Sequence, residues 1–182
     1  MISVATYQLV ALEDSDDQWE LDRGHLRTKP GMTVEHNHVQ SELSRELSLQ
    51  LSQREYSMRV NAGRLRISRD TYFVPDLFVV PREYVTQKLR EMPDQLEVYD
   101  EPMPLVVEVW SPVVGDYDVE EKLRRYQERG DSEIWRVHPY EKTLIAWRRQ
   151  PDGAYAETFY TGGAIQPVAL PNVTIELQRL FE

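Results

Sequence analysis

Two short apolar runs decide how this chain reads: Tyr72-Phe73-Val74-Pro75-Asp76-Leu77-Phe78-Val79-Val80 and Leu105-Val106-Val107-Glu108-Val109-Trp110. Both are rich in branched and aromatic residues and bounded by prolines, so each reads as a largely buried strand. Each is broken by one acid, Asp76 in the first and Glu108 in the second. An unpaired carboxylate costs several kcal/mol or more to bring into such a strand. Two such costs close together call for a partner charge. A hard divalent cation would be one, since Mg²⁺ sits on one or two carboxylates and keeps several waters.

Working outward, Asp116-Tyr117-Asp118-Val119-Glu120-Glu121-Lys122-Leu123-Arg124-Arg125-Tyr126 follows the second run. At about 100° per residue, Val119, Leu123 and Tyr126 form one apolar stripe of a helix. Lys122 falls on the flank of that stripe, while Glu120, Glu121, Arg124 and Arg125 point elsewhere. A lysine there can lay its stem on the core edge and leave its ammonium in water. It can also reach the two acids, and two acids with a lysine form a phosphodiester-hydrolysing constellation. In that case its loss orphans no buried partner other than those acids.

The chain resembles the Uma-two family, within the PD-(D/E)XK restriction-endonuclease-like superfamily. The matching text is Pro75-Asp76, Val107-Glu108-Val109-Trp110-Ser111-Pro112, and Asp118-Val119-Glu120-Glu121-Lys122-Leu123 with Tyr126. Milder matches are Trp19-Glu20-Leu21-Asp22-Arg23-Gly24, Glu35-His36 with Val39 and Leu43, and Pro171-Asn172-Val173. The general superfamily pattern has a lysine two residues after the acid, where this chain has Trp110. In the Uma-two version the lysine lies on the following helix, as Lys122 does.

The resemblance implies a divalent-metal-dependent endonuclease acting on DNA, with Asp76, Glu108 and Lys122 catalytic. Mg²⁺ or Mn²⁺ would rest on Asp76, Glu108 and the backbone carbonyl of Val109, and no organic small-molecule cofactor is called for. His36 and Asp118 are accessory candidates, each with a plainer reading, His36 as a hydrogen-bonded histidine at the core edge and Asp118 as a helix cap. A homodimer is implied because cutting both strands takes two sites. The alternative is a degenerate nuclease-fold domain that binds nucleic acid or another protein without turnover.

The 182 residues suit a single domain able to bury about 70% of its unfolded surface. The absence of cysteine suits a cytoplasmic protein, and no run approaches membrane-spanning length. A net charge of −10 disfavours generic nucleic-acid binding, which rests on phosphate neutralisation. The basic groups are uneven, however: residues 54–90 carry eight Lys and Arg against four acids, and this segment contains Asp76.

Residues 1–17, ending in Glu13-Asp14-Ser15-Asp16-Asp17, read as a flexible or peripheral solvated lead-in. Trp19 to Thr28 around Asp22-Arg23-Gly24 predicts a hairpin. Thr33 predicts the cap of a helix to about Gln53, with Val39, Leu43, Leu47 and Leu51 buried. Tyr56 to Asn61 and Leu65 to Ser68 predict a second hairpin, and residues 81–104 an exposed mobile excursion with one or two helical turns near Tyr84 to Arg90 and then an acidic loop. Asp116 or Asp118 would cap the Lys122 helix. Ile134 to Val137 predicts a core strand, and Thr143 to Arg148 with Ala154 to Tyr160 a hairpin around Pro151-Asp152-Gly153. Residues 164–170 predict an edge strand, and 171–180 a short helix. The fold class is α/β (α+β): a restriction-endonuclease-like mixed sheet flanked by helices, with N-terminal and C-terminal hairpins.

Overall fold

The structure, a computed structural model, describes residues 1–182 except Ser15 and Val114; the side chains of residues 115–118 are also outside the description. In chain order the elements are α1 (Val4–Glu13), β1 (Trp19–Asp22), β2 (His25–Thr28), α2 (Val34–Gln50), β3 (Tyr56–Val60), β4 (Arg64–Ser68) and β5 (Thr71–Phe73). There follow β6 (Leu77–Pro81), α3 (Arg82–Glu91), β7 (Val98–Tyr99), β8 (Leu105–Val109), α4 (Gly115–Arg129) and β9 (Glu133–His138). The chain ends with β10 (Thr143–Arg149), β11 (Tyr155–Tyr160), β12 (Ala164–Ile165), β13 (Ile175–Glu176) and a 3-10 turn at Leu177–Phe181. Among the described residues, no helix is long and apolar enough to cross a membrane.

The large sheet has six strands in the order β11-β10-β9-β8-β6-β3, antiparallel except that β8 runs parallel to β9 across the α4 crossover. Its central strands are apolar on both faces because both faces are covered. Leu77, Val79, Leu105, Val107 and Val109 pack with Val39, Leu43 and Leu47 of α2 and with the C-terminal segment. Phe78, Val80 and Val106 face the other way, toward Tyr126 of α4 and Leu65, Phe73 and Tyr99 of the smaller sheet. That smaller sheet has the order β2-β1-β5-β4-β7, and α1 closes its outer side through Tyr7, Leu21 and Tyr72. The whole is the mixed sheet with flanking helices of the restriction-endonuclease-like fold class.

Three local expectations hold. The β1–β2 hairpin turns at Arg23 and Gly24, both with positive φ (49° and 75°), as a tight two-residue hairpin turn demands. Thr33 accepts a hydrogen bond from the His36 amide at the start of α2, which stops at Gln50. Residues around Pro151-Asp152-Gly153 join β10 to β11.

Elsewhere the chain departs from its reading. The first apolar run is two strands: β5 belongs to the small sheet and β6 to the large one, with Val74-Pro75-Asp76 crossing between them. Tyr56 to Asn61 and Leu65 to Ser68 form no hairpin, because β3 pairs with β6 and β4 with β5. Alternation along a strand reads the same whichever sheet receives it. The N-terminal lead-in is a helix capped by Ser3, with Tyr7 fully buried and its hydroxyl donating to the Trp19 carbonyl at 3.0 Å. The helical turns expected near Tyr84 to Arg90 are α3, but the rest of residues 81–104 is no exposed excursion: it adds β7 and buries Leu96, Tyr99 and Met103. Residues 164–180 give the short β12–β13 pair in place of a single edge strand, and the expected short terminal helix is a 3-10 turn that begins only at Leu177.

Candidate active site

Asp76 is the first residue before β6, and Glu108 lies one residue inside the end of β8. The two strands pair antiparallel with Leu77 opposite Val107, so the next pair outward is Asp76 and Glu108. The Val109 amide, at the end of β8, donates to Asp76 Oδ2 at 2.7 Å. Within an extended strand the N–H and C=O of one residue point to the same side, so the Val109 carbonyl is directed to that edge as well.

The crossing at residues 74–76 is buried, and side chains from elsewhere satisfy its backbone groups. Glu20 Oε1 accepts the Val74 amide at 2.7 Å, and Lys29 donates to the Val74 carbonyl at 3.0 Å. The Asp76 carbonyl accepts from Gln40 Nε2 at 2.8 Å and from the Asn61 amide at 2.9 Å. Pro75 has no amide to satisfy. The acid is therefore held at a corner rather than inside a strand.

Lys122 arrives from α4. Its Nζ donates to Glu20 Oε1 at 3.0 Å, lies 3.7 Å from Glu108 Oε1 and sits 5.3 Å from the centre of the Phe73 ring. Lys122 is only 6% exposed, so its ammonium is not a solvated tip. Removing it would orphan Glu20 as well as Glu108, a partner the sequence reading did not include. Tyr126, one turn further along α4, donates its hydroxyl to Glu108 Oε1 at 2.6 Å. His36, fully buried on α2, places Nε2 3.1 Å from Asp76 Oδ2, while its Nδ1 has no partner among the described residues. His38 is exposed. Asp118, as accessory group or cap, lies outside the described side chains.

The charges around them divide the two acids. Burial pushes the Asp76 carboxyl up, but the Lys29 ammonium, together with the hydrogen bond and charge of His36, holds it well below the usual carboxylate range. Burial pushes Glu108 up to about 7; Lys122 opposes this and the charge of Asp76 adds to it. The site therefore favours the charged form of Asp76 and the neutral form of Glu108. Burial, then the charge of Glu108, also pushes the Tyr126 hydroxyl well above its ordinary value, so Tyr126 serves Glu108 as a donor.

Glu20, Asp76, Glu108, Val109, Lys29 and Lys122 line one cavity of about 370 Å³. Among the described residues, no three His, Cys, Asp or Glu side chains form a metal cage. The arrangement suits a hard cation held by two carboxylates, a carbonyl and water rather than a closed protein site. Asp76 Oδ1 is buried and stands 2.6 Å from the Lys29 ammonium, so a positive charge already rests on it. Glu20, Lys29, Gln40 and Asn61 escaped the sequence reading of the site. Their partners lie from 15 to 102 residues away, and no local pattern marks them.

The chain is similar to known proteins in family pattern, sequence and fold. The Uma2 family pattern, described as "Putative restriction endonuclease", matches residues 4–178. An uncharacterized protein of Synechocystis sp. is 27% identical over 127 residues, which cover 69% of this chain and 68% of that protein. A crystal structure from Anabaena variabilis, titled a "putative nuclease belonging to DUF820", superposes with a TM-score of 0.73 at 17% identity and covers 92% of both chains. That likeness concerns the fold. With the family pattern spanning nearly its whole length, the chain belongs to the Uma2 family.

Proposed function

We propose that this protein is a divalent-metal-dependent endonuclease that hydrolyses DNA phosphodiester bonds. The observation that carries the proposal is the pairing of Asp76 with Glu108 at one strand end, beside the Val109 backbone and within reach of Lys122. Family membership and the nuclease named in the structural comparison support the same class of chemistry.

In this reading Asp76, Glu108 and the Val109 carbonyl hold Mg²⁺ or Mn²⁺. Bound there, the cation would acidify a water and draw charge from the phosphate. Lys122 orients the attacking water or stabilises charge developing on the phosphate oxygens, and Glu20 fixes its ammonium at the cavity wall. Tyr126 steadies Glu108 in one rotamer through its hydroxyl. The two strands of a duplex call for two such sites, which a homodimer would supply.

The test is a nuclease assay with Mg²⁺ or Mn²⁺ on duplex and single-stranded DNA and on RNA, run beside Glu108→Gln. DNA cleavage by the wild type is expected, with a loss of about 10²- to 10³-fold or more in the variant, the scale for removing one preorganised charge-stabilising group. A folded wild type that cuts none of these substrates with either cation overturns the proposal in favour of a binding module on a nuclease fold.

A further inference from the structure

The site contains a second lysine that the proposed chemistry leaves unassigned. Lys29 follows β2 and precedes Pro30-Gly31, and its side chain is 6% exposed. Its ammonium stands 2.6 Å from Asp76 Oδ1, 2.8 Å from Asn61 Oδ1 and 3.0 Å from the Val74 carbonyl. Asn61 is itself fixed, its amide donating to Gln40 Oε1 at 3.0 Å, and Gln40 holds the Asp76 carbonyl. Lys29, Asn61, Gln40 and Asp76 thus form a closed ring that keeps a positive charge on the carboxylate.

The Lys29 ammonium holds Asp76 Oδ1 by charge and by hydrogen bonding. It has two further acceptors, Asn61 Oδ1 and the Val74 carbonyl. Lys29 would keep those two acceptors if a divalent cation drew it away from Oδ1. Two positive charges on one carboxylate oxygen repel strongly in a site this buried.

We infer that Lys29 is the resident counter-ion of Asp76, which a divalent cation must displace, so that Lys29 sets the affinity of the site for metal. The inference rests on the metal-dependent reading above. Lys29 is a positioning residue in this role, acting through Asp76, and its displaced ammonium remains on the cavity wall beside Asn61 and Val74.

The experiment is direct Mn²⁺ binding, by calorimetry or by the free-Mn²⁺ paramagnetic signal, to the wild type, Lys29→Met and Lys29→Arg. Lys29→Met keeps most of the stem and removes the charge, and it is expected to bind Mn²⁺ about tenfold or more tightly. Lys29→Arg keeps the charge and should stay within about threefold of the wild type. A gain in affinity is a result that a merely structural lysine does not give. If Lys29→Met folds only when Mn²⁺ is added, the cation has replaced the ammonium and the inference stands; if it stays unfolded at every Mn²⁺ concentration, Lys29 is a structural brace and the inference falls. Equal binding by the wild type and a folded Lys29→Met overturns the inference alone, whereas absence of Mn²⁺ binding in all three proteins overturns the metal reading with it.

Discussion

Asp76 and Glu108 lie near each other at the ends of two neighbouring strands and burial pushes both up, yet Lys29 and His36 hold Asp76 low. Glu108, raised from 4.5 to about 7, holds its proton more tightly in the folded protein than in the unfolded chain. Its contribution to stability is therefore complete below about pH 4.5 and is lost as pH rises through 7. Asp76, held low, contributes above the ordinary carboxylate range and loses that contribution as pH falls through it. The stability difference between the wild type and Glu108→Gln, from urea melts at pH 5 and pH 8, should shift against the wild type at pH 8 by no more than about 3 kcal/mol. A difference that does not change with pH would refute the raised Glu108. Lys122 gives a second prediction: it is shared by Glu20 and Glu108, so Lys122→Met should cost about 3–5 kcal/mol, the scale for orphaning a buried charge. Combined with Glu20→Gln, the loss should be smaller than the sum of the two single losses. Strict additivity would mean that the pair is not energetically coupled.

At the level of elements, what is written locally was legible. A threonine cap, a four-residue apolar recurrence, a two-residue turn with glycine and a Pro-Asp-Gly turn each carry their own signal, and α2 and the two hairpins follow from them. What depends on a distant surface was not. Tyr72 to Val80 is apolar on both sides of Pro75-Asp76 because both sheets bury it, and the alternation does not show that the two halves belong to different sheets. Helix α1 was hidden for the opposite reason: Glu13-Asp14 and the acids after it read as solvated, while its one fully buried residue, Tyr7, is a single aromatic. Tyr7 packs 5.4 Å from the Tyr72 ring and closes the outer face of the small sheet. Tyr7→Ala should therefore cost about 3–5 kcal/mol, as other buried aromatic truncations do, read as a fall in the denaturation midpoint. A change below 1 kcal/mol would return residues 1–17 to the role of a dispensable lead-in.

Across the whole molecule, the acidic balance and the basic segment both look different once folded. Arg59 and Arg66, within residues 54–90, are already paired with Glu97 and Asp100. The positive groups lining the cavity are instead Arg27, Lys29 and Lys122, which come from outside that segment. Local charge counts could not find them, because pairs such as Glu20 with Lys122 are made only by the tertiary fold. Asp76, Glu108 and Lys122 were legible because buried runs and a helical stripe mark them; Glu20 and Lys29 sit in ordinary polar surroundings along the chain.

The crossing at Val74-Pro75-Asp76 has one more consequence. It is the seam between the two sheets, stitched by Glu20 from one side, Gln40 from the other, and Lys29 and Asn61 between them. Parting the sheets would take Lys29 from Asp76 and Glu20 from Lys122, leaving each buried charge with fewer partners. The cluster that gives the cavity its chemistry therefore also acts as an electrostatic lock, making two sheets that could have been separate modules open and close as one.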